Sequence, residues 1–133
     1  MKARLFFVSS VLLCLLSACQ ESKMDRFERE TKDFTVRNCP KQCDAITILD
    51  SLVFHNDGTM DYRYYYSVDL TSKEESLFMQ KLEDLRYECL EGIRNSVELK
   101  NVKAAGLNIV LSYFEKKTKK KLVEIRYKKE DYE

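Results

Sequence analysis

Apolar residues recur along this chain with two periods, and each marks a different kind of element. Met24, Phe27, Thr31 and Phe34 fall three, four and three apart, the stripe of a short helix, while Arg26, Glu28, Arg29 and Glu30 take its wet side. Ser22-Lys23-Met24-Asp25 is a capping-box-like start, and Asn38-Cys39-Pro40 ends the helix because proline disfavours helical backbone at the residue before it. From Ala45 to Phe54 the pattern reads as a strand. Ile46, Ile48, Leu52 and Phe54 share one parity, interrupted by Asp50, and Leu49 and Val53 occupy the other. His55-Asn56-Asp57-Gly58 predicts a turn with Gly58 in the left-handed region. Met60, Tyr62, Tyr64, Tyr66 and Val68 then alternate with Asp61, Arg63, Tyr65 and Ser67, so the two runs predict an antiparallel hairpin.

The period changes again after Thr71 and Ser72, which stand at capping-box spacing from Glu74 and Glu75. Phe78, Leu82, Leu85, Cys89 and Ile93 form the apolar stripe of a helix of about five turns. Gly92 and Asn95 suggest a break, Asn95-Ser96-Val97-Glu98 restarts a shorter helix, and Gly106 caps it. Leu107, Ile109, Leu111 and Tyr113 alternate as a third strand, Glu115 to Lys121 is a charged turn, and Leu122 to Tyr127 is a fourth strand. The expected fold is α+β: a four-stranded antiparallel sheet of two hairpins with the helices packed on one face.

The first residues follow a different logic. Lys2 and Arg4 precede an apolar run from Leu5 to Leu16, too short to span a hydrocarbon core of about 30 Å but right for a secretory signal. Leu16-Ser17-Ala18-Cys19 resembles the bacterial lipobox, an aliphatic residue and two small ones before a cysteine. The small residues let extended chain enter the peptidase groove, and the Cys19 thiol receives the diacylglyceryl group. This divides the chain into a lipoprotein signal peptide (1–18), a lipidated tether (19–23) and one α+β domain (24–133). The acyl chains would hold the protein in the membrane, at about 0.8 kcal/mol per buried methylene. By resemblance to lipoprotein sorting, Gln20 is not the aspartate that retains a protein in the inner membrane. An outer-membrane location is therefore expected in a two-membrane bacterium.

Composition narrows the chemistry. With 23 Lys plus Arg against 22 Asp plus Glu, the formal charge is +1, which argues against a nucleic-acid module. Three glycines and one proline leave no Gly-rich phosphate cradle, and one histidine excludes most sites built from two or three. Cys39 and Cys43 are four apart, not the spacing of a redox C-x-x-C; a structural Cys39–Cys43 disulfide is one option in an oxidising compartment. Cys89 falls on an apolar stripe and reads as a small buried hydrophobe. Zinc bound by Cys39, Cys43 and His55 would need a fourth ligand, so no metal or other cofactor is expected. His55 reads as a solvated turn residue, too close along one strand to pair with Ser51. Asp44, Asp50 and Asp57 form no recognisable carboxylate pair.

Tyr62, Tyr64, Tyr65 and Tyr66 are half of the 8 tyrosines. Tyr62, Tyr64 and Tyr66 line a sheet face, partly under the helix, or the four rings form an aromatic recognition surface for an envelope protein, peptide or glycan. Lys116, Lys117, Lys119, Lys120 and Lys121 cluster at the second hairpin turn, as a solvated tip or as a contact with anionic lipid near the anchor.

Asn38-Cys39-Pro40, Asp44, Thr47, Leu49-Asp50-Ser51 and Tyr62-x-Tyr64-x-Tyr66 resemble a pattern in small secreted or lipid-anchored bacterial proteins of uncharacterised function. There a CP-x-x-x-D-x-x-T-x-LDS stretch leads into a Tyr-rich strand, and a later helix ends in Gly before a Leu-x-Ile-x-x-x-Tyr strand, as at Ala105-Gly106 to Tyr113. The resemblance spans about residues 36 to 127 and implies a shared α+β fold without an assigned activity. Cys43 stands where an aliphatic residue is usual, and no cysteine follows near the C-terminus to pair with Cys39. The expected function is a lipid-anchored, non-catalytic binding or accessory module. The rival is a carboxylate-based envelope hydrolase, because paired carboxylates are invisible in sequence.

Overall fold

The computed structural model describes residues 21–133. Helix α1 (Lys23–Asn38) is followed by a two-residue strand β1 (Lys41–Gln42), then β2 (Thr47–His55) and β3 (Asp61–Val68). Three helices follow, α2 (Ser72–Gln80), α3 (Leu82–Asn95) and α4 (Lys100–Ala104). Strands β4 (Asn108–Glu115) and β5 (Lys121–Tyr127) and a terminal turn α5 (Lys129–Tyr132) complete the fold. The α+β class is as expected. The sheet differs: it has five strands in the order β1-β2-β3-β4-β5, and it is mixed.

The two expected hairpins are present, β2 with β3 and β4 with β5, both antiparallel. They join along β3 and β4, which run parallel from Asp61↔Asn108 to Val68↔Glu115. The helices explain the correction. They carry the chain from the far end of β3 back to the end where β3 began, so β4 starts beside Asp61 and runs the same way. The added strand β1 pairs with Ile48 and Leu49 of β2.

A bulge resolves the two-faced pattern of β2. Leu49 opposes Tyr66 and Ser51 opposes Tyr65, so Asp50 is an extra residue without a partner. The side-chain parity switches there, and Leu49, Leu52 and Phe54 all reach the same face, 5%, 4% and 2% exposed. Three rows then cross the sheet on that face: Phe54, Tyr62, Ile109 and Tyr127; Leu52, Tyr64, Leu111 and Ile125; Leu49, Tyr66, Tyr113 and Val123. The helices cover this face. Tyr127 donates its hydroxyl to the Arg86 carbonyl of α3 at 2.7 Å, and Tyr132 donates to the Leu107 carbonyl at 2.8 Å.

Helix α1 closes the outer edge of β2, which β1 leaves mostly unpaired. The Thr31 hydroxyl donates to the Phe27 carbonyl at 2.9 Å and accepts the Phe54 N–H at 3.1 Å. The Thr35 hydroxyl donates to the Leu52 carbonyl at 2.8 Å and accepts the Leu52 N–H at 2.9 Å. Edge groups that would otherwise template another strand are thereby satisfied by side chains.

The turns follow their sequence signals. Gly58 and Gly106 take φ of 94° and 69°, the left-handed region that a Cβ disfavours. The helix expected over Phe78 to Ile93 is two helices, broken at Lys81 with φ −93° and ψ 11°.

Candidate functional site

The four tyrosines of β3 divide between the two faces, as strand alternation requires. Tyr62, Tyr64 and Tyr66 lie on the helix face, and Tyr65 lies alone on the other. They do not form one surface, which corrects the expected four-ring patch. On the helix face the rings join a longer series. Phe54, Phe27, Tyr62, Tyr64, Tyr66, Tyr113 and Phe78 follow one another with ring centroids 4.9 to 6.4 Å apart. Tyr66 and Tyr113 stack at 4.9 Å with planes 14° apart. The series runs from α1 across the sheet to α2. Burial pushes the Tyr62 phenol up to about 12 and those of Tyr64, Tyr66 and Tyr113 higher still, so these hydroxyls stay protonated.

Tyr65 belongs to a polar face. Its hydroxyl lies 3.3 Å from Nε2 of His55, and its ring stacks near Phe114 at 6.4 Å. His55 is half-buried at the end of β2 rather than a solvated turn residue. Beside it, Asp61 is 2% exposed and holds three side chains. Arg126 donates to both of its oxygens, at 2.5 and 2.8 Å; Asn108 donates at 3.1 Å and Arg63 at 3.2 Å. Arg63 also donates to Glu124 at 2.5 Å. Burial alone would raise the Asp61 carboxyl, but Arg126, Asn108 and Arg63 outweigh it and hold the group below the usual carboxylate range. Asp61 and Arg63 share β3, but Arg126 and Glu124 reach them from β5, more than sixty residues away, so no local pattern announces the network.

The residues that carry the family resemblance build backbone geometry. The Asp44 carboxylate accepts the N–H groups of Ile46 at 3.0 Å and Thr47 at 2.8 Å, and the Thr47 carbonyl accepts the Cys43 N–H at 2.9 Å. Together they turn the chain from β1 into β2. Asp50, at the bulge, accepts the Ser67 hydroxyl. Asp57 accepts from the Thr59 N–H and hydroxyl at 3.1 and 2.7 Å. Asp44 and Asp57 therefore serve two separate turns, and Asp50 ties the β2 bulge to β3. Cys39, Cys43 and Cys89 are free thiols in this structure. Burial raises the thiols of Cys39 and Cys89, which makes them poor nucleophiles. Among the described residues no group of three or more His, Cys, Asp or Glu is placed to hold a metal ion.

The aromatic series ends at a cleft of about 530 Å³, within the range of small-ligand and side-chain binding sites. One wall is a single helical stripe that crosses the break at Lys81: Glu74, Leu77 and Phe78 from α2, then Asp84, Leu85 and Glu88 from α3. Ile46 and Leu70 form the other wall, tied together where the Asp69 N–H meets the Ile46 carbonyl at 2.8 Å. No residue of α2 is buried. Leu77 and Ile46 are 46% and 40% exposed, so apolar surface faces water here. Phe78 joins the cleft to the sheet through Tyr113, 5.8 Å away. Periodicity identified Phe78 and Leu85 as apolar stripe residues. It gave no sign that Ile46 and Leu70 would face them.

The cleft and the start of the described chain lie at opposite ends of the sheet. Ser22 caps the N-terminus of α1, and Asp25 accepts from Asn56 in the β2–β3 turn at 3.3 Å. The cleft adjoins the other end, where β3 finishes, and the strands between span about 25 Å. The lysine-rich turn also lies at that other end: Lys117 pairs with Asp69 and Lys120 with Glu75. The lysines of this turn are exposed, at the end of the sheet away from the start of α1. Cys19 and the signal segment lie outside the described residues. Among the described residues no helix is long and apolar enough to cross a membrane.

The architecture defines a class: a helix-covered mixed sheet, sealed at one edge by a helix and carrying a half-apolar cleft at one end. The chain belongs to the family called Domain of unknown function (DUF8479), whose model matches residues 22–123. The curated proteins give no match. Among solved structures, the chain is similar to a "putative secreted protein (PA3611)" from Pseudomonas aeruginosa, with a TM-score of 0.66 and 13% identity. The match covers 86% of this chain and 100% of that one, a likeness of fold.

Proposed function

We propose that this protein is a lipid-anchored envelope module, acylated at Cys19, that binds a partner without catalysing a reaction. One observation carries the reading: the cleft opens at the end of the sheet opposite the start of α1. A chain tethered two residues before Glu21 would present its β2–β3 turn to the membrane and its cleft to the periplasm or the medium. The aromatic series supports this arrangement, because it gives the cleft a rigid back wall through Phe78 and Tyr113. The partner surface is then the cleft rather than the four tyrosines of β3.

The rival reading is a hydrolase with paired carboxylates. Such a site needs one carboxyl raised enough to donate a proton near neutral pH. In the cleft, the Thr71 N–H and hydroxyl hold the Glu74 carboxyl below its usual range. Asp61 and Glu124 are likewise lowered, held by arginines against the opposing effect of burial. These groups are suited to fixing structure rather than to transferring protons.

The test is metabolic labelling with a palmitate analogue in a bacterial host, followed by fractionation. The wild-type chain is expected to incorporate label and sediment with membranes. Cys19→Ala is expected to lose label and remain an unprocessed precursor. Retention of label by the Cys19→Ala chain would refute the anchor.

A further inference from the structure

We propose that the cleft docks a segment of another protein in which apolar side chains are flanked by lysine or arginine. This rests on the reading of the chain as a binding module and does not depend on the anchor. The floor asks for apolar side chains, since Ile46, Leu70, Leu77, Phe78 and Leu85 line it and Leu77 and Ile46 stand open to solvent. The rim sets the sign. Glu74, Asp84 and Glu88 face Lys81 as the single cation among the lining residues. Glu74 is committed to capping α2, so Asp84 and Glu88 matter most. They are four apart on α3, which places two carboxylates side by side on one helix face. Among the described residues neither takes part in an ion pair within 4.0 Å. Lys81 makes no ion pair within 4.0 Å with either of them, and Lys117 and Lys120 of the β4–β5 turn are paired with Asp69 and Glu75.

The same charges disfavour other occupants. Anionic lipid headgroups would meet carboxylates at the rim. A second copy docking by two-fold symmetry would bring the same acidic rim against its own. A basic, apolar segment pairs its cations with Asp84 and Glu88 while its apolar side chains cover Leu77 and Phe78, so both features are used at once.

Calorimetric titration of the full chain with synthetic peptides tests this. One peptide places leucines on one helical face and lysines around them; a second replaces every lysine by glutamate; a third replaces every leucine by serine. The Leu/Lys peptide is expected to bind and the other two to bind at least roughly tenfold more weakly. The double variant Asp84→Lys/Glu88→Lys, and separately Leu77→Ser, should weaken the Leu/Lys peptide by a similar factor with unchanged far-ultraviolet circular dichroism. Should a variant lose its helical signal, amide shift mapping on the wild-type chain decides instead, with changes expected at Leu77, Asp84 and Glu88. Equal binding of the Leu/Glu peptide, or undiminished binding by the folded double variant, would overturn the proposal. So would shift changes confined to other surfaces, or self-association that Leu77→Ser abolishes. Palmitate labelling is indifferent to these variants, so failure here is distinguishable from failure of the anchor.

Discussion

Helices α1 and α2 lie against the same sheet and are used in opposite ways. Helix α1 inserts Phe27 and Thr31, at 6% and 2% exposure, and its two threonine hydroxyls satisfy the free edge of β2. Helix α2 has a full capping box at Thr71 and Glu74 but buries no residue, and Leu77 and Met79 remain exposed. Both helices are well started; only one is absorbed into the core. The contrast separates the side chains that hold the fold from those left available to a partner. Burial and edge bonding fix α1, whereas α2 is held by its cap, by Phe78 against Tyr113 and by the continuation into α3.

Substitutions that sharpen this contrast range from large effects to none. Phe27→Ala removes a ring that packs on Phe54 and Tyr62 and is expected to cost about 3 kcal/mol in a denaturant titration. Asp61→Asn leaves Arg126 and Arg63 without their shared anion, and about 2 kcal/mol is expected. Acid gives the same group a signature. The folded Asp61 carboxyl is held below its unfolded value. Its stabilisation is therefore complete above the unfolded value, about 4, and is lost as pH falls through the folded one. The Asp61→Asn chain is expected to show a shallower loss of stability on acidification than the wild type. Thr31→Val keeps the volume but strands the Phe54 N–H, with an expected cost of about 1 kcal/mol by thermal unfolding.

The difference between the two helices was partly legible in sequence. The stripe Met24, Phe27, Thr31 and Phe34 marks the working face of α1. What Thr31 satisfies was hidden, because the exposed edge of β2 exists only once β1 is seen to pair with two residues. In the second helical region, no glycine or proline announces the break at Lys81, so periodicity merged α2 and α3. Alternation placed Tyr65 apart from Tyr62, Tyr64 and Tyr66, yet density of tyrosine drew attention to β3 rather than to the cleft. The cleft needs Ile46 and Leu70, which the pairing of Thr47 with Val68 brings together, placed opposite Leu77 and Leu85 of the helices. The bulge at Asp50 and the parallel pairing of β3 with β4 were hidden as well. Neither has a local signature: two faces of mixed polarity on β2 read equally well as an ordinary strand, and two hairpins in order read as antiparallel throughout. The Asp61, Arg63 and Arg126 network was missed for the same reason.

The smallest expected effect on stability belongs to Leu77→Ser, and it gives the sharpest test of the contrast. Its denaturation midpoint and its titration with the Leu/Lys peptide should be measured on the same preparation. The account predicts a stability within about 0.5 kcal/mol of the wild type, as for an exposed position, together with at least roughly tenfold weaker peptide binding. A loss of stability as large as that of Phe27→Ala, or a stable chain that binds the peptide as well as the wild type, would contradict it.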